Sequence, residues 1–468
     1  MKEKMEHEHL LGTHCLGQTF TEHSADWLRI DGVVIGESSQ FGHSVIRGDS
    51  LASVLMQAAA DAQVAVVCFD WRSNTGFAKS GFALSNAGDA AEKSGFSVFV
   101  RRGSRINLSL KINLRTERPN GFVRWDPDQN QFVLEGRKFV PTGFNAYWLG
   151  LTEEYGYPSH PQIEQMFFIA RKIAATTIRS HTLGFSSGSK NSLRPGPSNK
   201  LNEVAWEPID FAFHCAEKYG IRLICPLLDA YSYYHGSYGD FCTPRRVPKT
   251  DFFTNSHVRA EFKDYVSQWL NHVNPLTNRA IKDDPSLFAI ELGNELGNNR
   301  PSAGSTAIPT REWIADISSF IKSVDPIHIV LNGSDECLGS ATSDDFSIPT
   351  LDAFGAHFYS KDWLRLADGC NAAVALRKPF IVGEYSSRLD ANWFKTLECN
   401  AHKVHGTFFW GLYPNQNGTP SSPPVLHNDG FTLNWIPKDL PFLLILSNHM
   451  RRLQGLEEIC QFEGEGVQ

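Results

Sequence analysis

From about residue 115 onward the sequence repeats one phrase: a short run rich in β-branched or aromatic residues, a polar or glycine-containing turn, then a longer stretch with helical spacing. That alternation predicts a parallel sheet, because parallel neighbours need a long crossover and a helix both makes the crossover and covers the sheet. The runs are FVPTGFN (139–145), TTIRS (176–180), IRLICPLLD (221–229), SLFAIELGNE (286–295), IHIVLN (327–332), AFGAHFY (353–359), PFIVGEY (379–385) and GTFFWGLY (406–413). Eight is the strand number at which such a sheet closes into a (β/α)8, or TIM, barrel. Between the runs, 161–174, 203–219, 257–273, 310–324, 362–376 and 440–453 read as helices; the first opens near Pro161 with Ile163, Met166, Phe167, Ala170 and Ile173 on one face, and the second stops at Gly220.

Residues 1–115 follow a different pattern and read as a small, mostly-β accessory domain ahead of a catalytic barrel at 116–468. RINLSLKINLRT (105–116) alternates strictly, as a half-buried antiparallel strand does; VAVVCFDW (64–71) and FSVFVR (96–101) add strands, and SLASVLMQAAADA (50–62) reads as a helix. After the turn DPDQNQ (126–131), FVLEGRKFV (132–140) reads as a hairpin on the floor of the barrel.

Composition removes several classes of function. A net charge of −7 offers no basic surface for phosphate, so nucleic acid is not expected as a partner. No stretch approaches the ~20 consecutive apolar residues of a spanning helix, so no membrane partner is expected. The amino terminus MKEKMEHEHLLGTH lacks the apolar core of a signal peptide. The 9 cysteines are scattered with no CxxC pair and no metal-ligand spacing, so neither a zinc site nor another metal is implied, and Cys225 in IRLICPLL reads as a core residue. Sequons at Asn107, Asn332 and Asn417 would accept glycans if the chain is exported.

In a (β/α)8 barrel the working residues stand at the C-terminal ends of the strands. Here those ends bring Asn145, Arg179, Asp229, Asn294 with Glu295, His357 with Tyr359, Glu384, and Trp410 to one face. Two glutamates so placed suit glycoside hydrolysis, in which one carboxylic acid protonates the leaving oxygen and a carboxylate works on the opposite side of the anomeric carbon. Arg179 would keep a neighbouring carboxylate ionised, His357 and Tyr359 would orient carboxylate oxygens, Asn294 would donate to a sugar hydroxyl, and Trp410 would offer a flat apolar platform. Glu291 is expected deeper in the barrel, against a buried cation.

The motifs GFNAYWL (143–149), TIRSH (177–181), YGIRLICPLLDAY (219–231), FAIELGNE (288–295), FGAHFYSKDW (354–363), RKPFIVGEY (377–385), FFWGLY (408–413) and NDGFTL (428–433) together resemble glycoside hydrolase family 5, most closely its eukaryotic endo-β-1,4-mannanase branch, over roughly residues 120–455. The resemblance implies a retaining enzyme acting on a polysaccharide or oligosaccharide, with Glu295 as acid/base, Glu384 as nucleophile, and Arg179, Asn294, His357, Tyr359 and Trp410 around them. It implies no cofactor; a secreted, extracellular protein is expected, although no signal peptide is visible in this chain. Asn145 and Trp148 in the first motif join the expected substrate-binding set. The chain departs from the branch where Leu296 replaces a proline after the acid/base and where His181 and Tyr231 replace tryptophans; these last two would border the sugar, which leaves mannan against glucan open. Insertions at 184–200 and 232–250 put Tyr233, Tyr234 and Tyr238 near the mouth, where they would lengthen a cleft or close one end of it. The first hundred residues are faintly similar to PAN/apple modules without their cysteine pattern, and a carbohydrate-binding role or a structural cap is expected there.

Overall fold

The computed structural model describes residues 121–462, apart from 199, 298–307, 334–346 and 389, together with the backbone of strand segments between residues 20 and 109. The chain divides into two compact units at residues 117 and 118. In the first, segments Phe20–Glu22, Trp27–Ile30, Phe96–Arg101, Val66–Asp70, Thr75–Lys79 and His43–Arg47 form, in that order, one antiparallel sheet. Of the strand expected over 105–116, Asn107–Ser109 is present and pairs in parallel with Ala83–Ser85. Alternation identifies a two-faced strand, but carries no information about the direction of its neighbour. The helix expected over 50–62 lies outside the described residues.

In the second unit eight parallel strands run β1 (Thr142–Asn145), β2 (Thr177–Arg179), β3 (Arg222–Pro226), β4 (Leu287–Glu291), β5 (Ile329–Leu331), β6 (Phe354–Phe358), β7 (Phe380–Ser386) and β8 (Val404–Trp410). They hydrogen-bond in sequence order, β8 pairs back onto β1, and a parallel bridge from Leu331 to Ala353 joins β5 to β6, which closes the barrel. Helices α1 (His160–Lys172), α2 (Trp206–Tyr219), α3 (Ser256–Asn271), α4 (Arg311–Val324), α5 (Trp363–Leu376), α6 (Ala391–Cys399) and α7 (Leu440–Leu453) cover it. Short polar side chains start several of them: Asn255, Thr310, Asp362 and Asp390 each accept from backbone N–H groups of the first turn. Gly220, at φ 67, ends α2 in the left-handed conformation that favours glycine. The nine-residue α6 was not expected; it is too short to show a helical period.

Each strand divides its side chains between two clusters. In β4, whose register against β3 shifts between Leu223 and Ile224, Leu287 and Ile290 join the large core beneath the helices, while Phe288 and Ala289 join an interior cluster with Phe132, Ile224, Ile329, Leu331, Ile381 and Phe408. Phe132 belongs to the expected floor hairpin, whose strands Gln131–Leu134 and Arg137–Phe139 turn through Glu135 and Gly136, both at positive φ. Its ring meets Phe288 edge-on at 5.0 Å. The barrel is therefore plugged with aromatic side chains at the bottom, and polar groups gather at the top. Cys225 is buried in β3, as expected. Asn332 is 1% exposed, so that sequon cannot carry a glycan, whereas Asn417 lies in an exposed turn.

Candidate active site

Arg179, at the end of β2, is the hub of the site and is 0% exposed. Its Nε and Nη2 donate to Glu291 Oε2 and Oε1 at 2.7 and 3.0 Å; Nη1 donates to Glu384 Oε1 at 2.8 Å and Asn145 Oδ1 at 3.0 Å; Nη2 also donates to Asn294 Oδ1 at 2.8 Å. Only a planar guanidinium reaches so many acceptors at once. Burial acts to discharge it, yet the charges of Glu291 and Glu384 hold its pKa above the ordinary value. Glu291 thus occupies the deeper position, paired with a buried cation.

Strand β4 ends at Glu291, short of the expected residue 295. The chain then leaves the ladder through Gly293 and touches it once more, where Asn294 N donates to Leu228 O at 2.8 Å and Asn294 O accepts from Ala230 N at 3.0 Å. Glu295 sits at φ 48, a left-handed conformation that costs a side-chain-bearing residue about 1–2 kcal/mol. Two greasy anchors bracket it: Leu292 N donates to Leu331 O and Leu296 N to Gly333 O, and both side chains are buried. Gly333 is at φ 70, and a Cβ there would stand 1.9 Å from Gly293 O and 2.7 Å from Glu291 Cγ. Backbone packing, not the strand itself, aims the carboxylate.

Glu295, Glu384 and His357 each place a ligating atom within 4.8 Å of the other two. His357 Nδ1 lies 2.7 Å from Glu295 Oε1 and 3.5 Å from Glu384 Oε2. Although burial opposes it, Glu384 and Glu295 raise the His357 pKa. Burial pushes the Glu384 carboxyl up to about 7 against the pull of His357 and Arg179, with the charge of Glu295 adding to the rise. The Tyr359 hydroxyl donates to Glu384 Oε2. These three residues are the one such group of potential metal ligands among the described residues. Glu384 Oε1 already accepts from Arg179 and Oε2 from Tyr359, so a cation here would share an oxygen with one of these donors and face the Arg179 charge.

Trp410 closes β8, with its Nε1 donating to Asp429 Oδ2 at 2.6 Å and its ring parallel to Tyr147 at 5.0 Å. His181 stands edge-on to Trp410 at 5.8 Å, and its Nε2 lies 3.4 Å from Arg179 Nη1. Burial and the Arg179 charge hold it well below the ordinary imidazole pKa. Asp229 binds His235 Nε2 at 2.9 Å, accepts from Tyr231 N at 2.7 Å and takes the Asn294 amide at 3.3 Å. The expected residues Arg179, Asn145, Asn294, Glu295, His357, Glu384, Tyr359, His181, Asp229 and Trp410 therefore form one connected assembly.

Several expected contacts are revised. Trp148 is 1% exposed, donates Nε1 to Leu412 O and packs on Tyr413, so it belongs to the core and has no surface to give a sugar. Asn145 is fully enclosed, with its amide donating to Gly383 O and Phe409 O and its oxygen on Arg179, so it positions the arginine and does not touch substrate. Tyr231 is not among the revised residues: its side chain is half-buried, and its backbone N–H donates to Asp229 Oδ1 at 2.7 Å. Tyr238 is buried against Phe252 and Phe253, because the 232–250 insertion folds back onto the large core, so its ring lines no open cleft. The expected eighth run stops at Trp410; Leu412–Tyr413 pair separately with Leu433–Asn434.

Sequence reading missed a second polar cluster beside Trp410. Tyr147 OH donates to Glu153 Oε1 at 2.7 Å and lies 3.0 Å from Tyr413 OH; Tyr233 OH donates to the same Glu153 oxygen; His427 Nδ1 lies 3.2 Å from Glu153 Oε2 and its Nε2 3.3 Å from Asp429 Oδ2. Asp429 also accepts from the backbone N–H of Phe431 and Thr432, an Asx turn that the NDG sequence could have signalled. Nothing in the sequence near Glu153 marks it.

Comparison with known proteins points to one family. Residues 227–378 match the family model described as GH family 5 beta-mannosidase-like. Mannan endo-1,4-beta-mannosidase 7 of Arabidopsis thaliana is 30% identical over 401 residues, 74% of this chain and 91% of that protein. Mannan endo-1,4-beta-mannosidase 1 of Oryza sativa subsp. japonica is 28% identical over 63% of this chain and 74% of its own length. Among solved structures, the endo-1,4-beta-mannanase of Rhizomucor miehei superposes with a TM-score of 0.59 at 23% identity, over 71% of this chain and 99% of that one, and shares the fold. On the extent of the Arabidopsis match, and with a polar ring at the top of an eight-stranded barrel, the chain belongs to glycoside hydrolase family 5.

Proposed function

We propose that the protein hydrolyses β-1,4-linked mannosides with retention of configuration, Glu384 acting as nucleophile and Glu295 as acid/base. The observation that carries this reading is the gap between the two glutamates: one oxygen of each lies within 4.8 Å of one on the other, which suits the roughly 5–5.5 Å of a retaining pair better than the roughly 6.5–9.5 Å of an inverting pair. In the first step a Glu384 oxygen forms a bond to the anomeric carbon as the glycosidic C–O bond breaks, and Glu295 gives its proton to the departing oxygen. In the second, Glu295 takes a proton from water, the water oxygen bonds to the anomeric carbon, and Glu384 leaves. Arg179 and Tyr359 hold Glu384 by both oxygens, which fixes its line of attack. His357, 2.7 Å from Glu295, orients the acid. Trp410 supports the sugar ring on its apolar face.

The mannoside substrate follows from the plant relatives, which are mannan endo-1,4-beta-mannosidases. The decisive test uses an aryl β-mannoside with a good leaving group and azide. Glu384→Ala should lose activity by on the order of 10^4-fold or more and form an α-mannosyl azide, because azide fills the vacated face. Glu295→Ala should form the β-azide. Azide products of the opposite stereochemistry would reverse the assignment, and faster cleavage of aryl glucosides than mannosides would reject the sugar.

We also read the protein as extracellular, where such polymers are met, and residues 1–115 as a carbohydrate-binding accessory module. A glycan on Asn417 of the natively produced protein, seen as a mass shift on deglycosylation, tests the first; an intracellular, unglycosylated pool would reject it. For the second, a full-length Glu384→Ala chain should sediment with insoluble mannan even when mannopentaose saturates the barrel. Complete release by mannopentaose would reject it.

A further inference from the structure

The cluster beside Trp410 ties together loops that leave three different strands. Glu153 follows β1, Tyr233 follows β3, and His427 with Asp429 follows β8. Tyr233 and His427 meet at the Glu153 carboxylate, which accepts from Tyr147 and Tyr233 and pairs with His427, while Asp429 holds the other ring nitrogen of His427. Tyr147 and Tyr413 fill the space beneath with rings 5.7 Å apart, and Tyr413 stacks on His427 at 5.1 Å. A charged, hydrogen-bonded bridge of this kind resists displacement by a sugar, because each partner would lose a charge-assisted bond.

The bridge has a defined relation to the chemistry. In a closed ring of eight strands, β8 stands opposite β4, and β4 leads into Glu295. The acid must stand on the leaving-group side, so the aglycone extends toward β4 and the reacting sugar lies toward Trp410 and β8. Behind Trp410 comes Tyr147, parallel at 5.0 Å, and then the bridge.

We propose that the Tyr233–Glu153–His427 bridge walls off the glycone end of the cleft, so that the enzyme removes single mannosyl units from the non-reducing terminus. This rests on the mannoside reading above and deepens it.

The test is the order of products from mannopentaose labelled at its reducing end, with an aryl β-mannoside run alongside. The wild-type protein should give free unlabelled mannose and labelled mannotetraose first. Tyr233 is 48% exposed, so Tyr233→Ala should fold, and it should lower the ratio of mannose to mannobiose among first products by about tenfold, the partition change expected from loss of one steric and hydrogen-bonded contact. Tyr233→Phe, which keeps the ring and removes the bond to Glu153, should fall between. Mannobiose or longer first products from the wild type would overturn the wall while leaving the mannoside activity standing. An unchanged ratio in Tyr233→Ala would overturn the assignment of the wall to this bridge. Failure to cleave both substrates would reject the mannoside reading and the wall with it.

Discussion

His357 Nδ1 lies 2.7 Å from Glu295 Oε1 and 3.5 Å from Glu384 Oε2, so one imidazole serves two carboxylates that must differ in protonation. In the first step Glu295 has to carry a proton and Glu384 must not. The three groups titrate together, and the observed limbs of a pH profile belong to the set. The imidazolium nevertheless acts on Glu384 in one direction: it lowers a carboxyl that burial raises, and the balance of the two with the other charges stands at about 7.

Replacing His357 by Gln removes that positive charge and keeps a hydrogen-bonding group. The Glu384 pKa should rise further, so that a smaller fraction is ionised at any given pH. The acidic limb of kcat/KM should move upward by roughly 1–3 pH units, the effect of one opposite charge at this range. A kcat/KM profile on an aryl β-mannoside reads it; an unmoved or lowered acidic limb would contradict the placement.

Glu291→Gln tests the buried pair beneath the site. The substitution keeps shape but leaves Arg179 with one of its two carboxylate partners, and breaking a buried pair from one side costs about 3–5 kcal/mol. The urea midpoint should fall at unchanged m, the signature of lost stability without a change in the surface exposed. A midpoint within error of the wild type would mean that the pair contributes nothing net.

Gly333→Ala should harm the site more than the fold. An added Cβ meets Gly293 O at 1.9 Å and lies in a backbone conformation costing about 1–2 kcal/mol, and the neighbour it pushes is the segment that aims Glu295. Turnover should drop well beyond what the folded fraction accounts for. Activity per folded molecule equal to the wild type would show that the 292–296 bracket does not depend on Gly333.

The bridge between Glu153 and His427 should make a pH-dependent contribution to stability. Burial works against charge on both, but Asp429 and Glu153 raise His427 from 6.5 to about 9, and His427, Tyr233 and Tyr147 lower Glu153 from 4.5 to about 2. A raised base contributes fully below 6.5 and loses its contribution as the pH climbs through 9; a depressed acid contributes fully above 4.5 and loses it as the pH falls through 2. The melting-temperature gap between wild type and His427→Gln should therefore be widest between pH 4.5 and 6.5 and narrow toward pH 9. A gap that is flat with pH would leave only packing at this position.

Much of this could be read before any coordinates were known. The alternation of β-rich runs and helical stretches dictates a parallel barrel because strand and helix periods are local properties of the chain. The same local logic puts Arg179, Glu384 and Trp410 at strand ends, and it makes Glu291 one turn of the pleat too deep to meet substrate. Where the chain leaves regular structure, local rules stop. Nothing in GFNAYWL separates Tyr147, which forms part of the rim, from Trp148, which sinks into the core; adjacent residues face opposite ways, and the choice depends on what β8 and its loop bring against them. Glu153, Tyr233 and His427 are as much as 274 residues apart in the chain, and only closure of the barrel makes them neighbours. The sequence by itself determined the frame and the chemical inventory of its upper face. The tertiary structure alone decided which of those groups meet, because a hydrogen bond between distant segments depends on the position of two backbones, and each is placed by packing that no short stretch encodes.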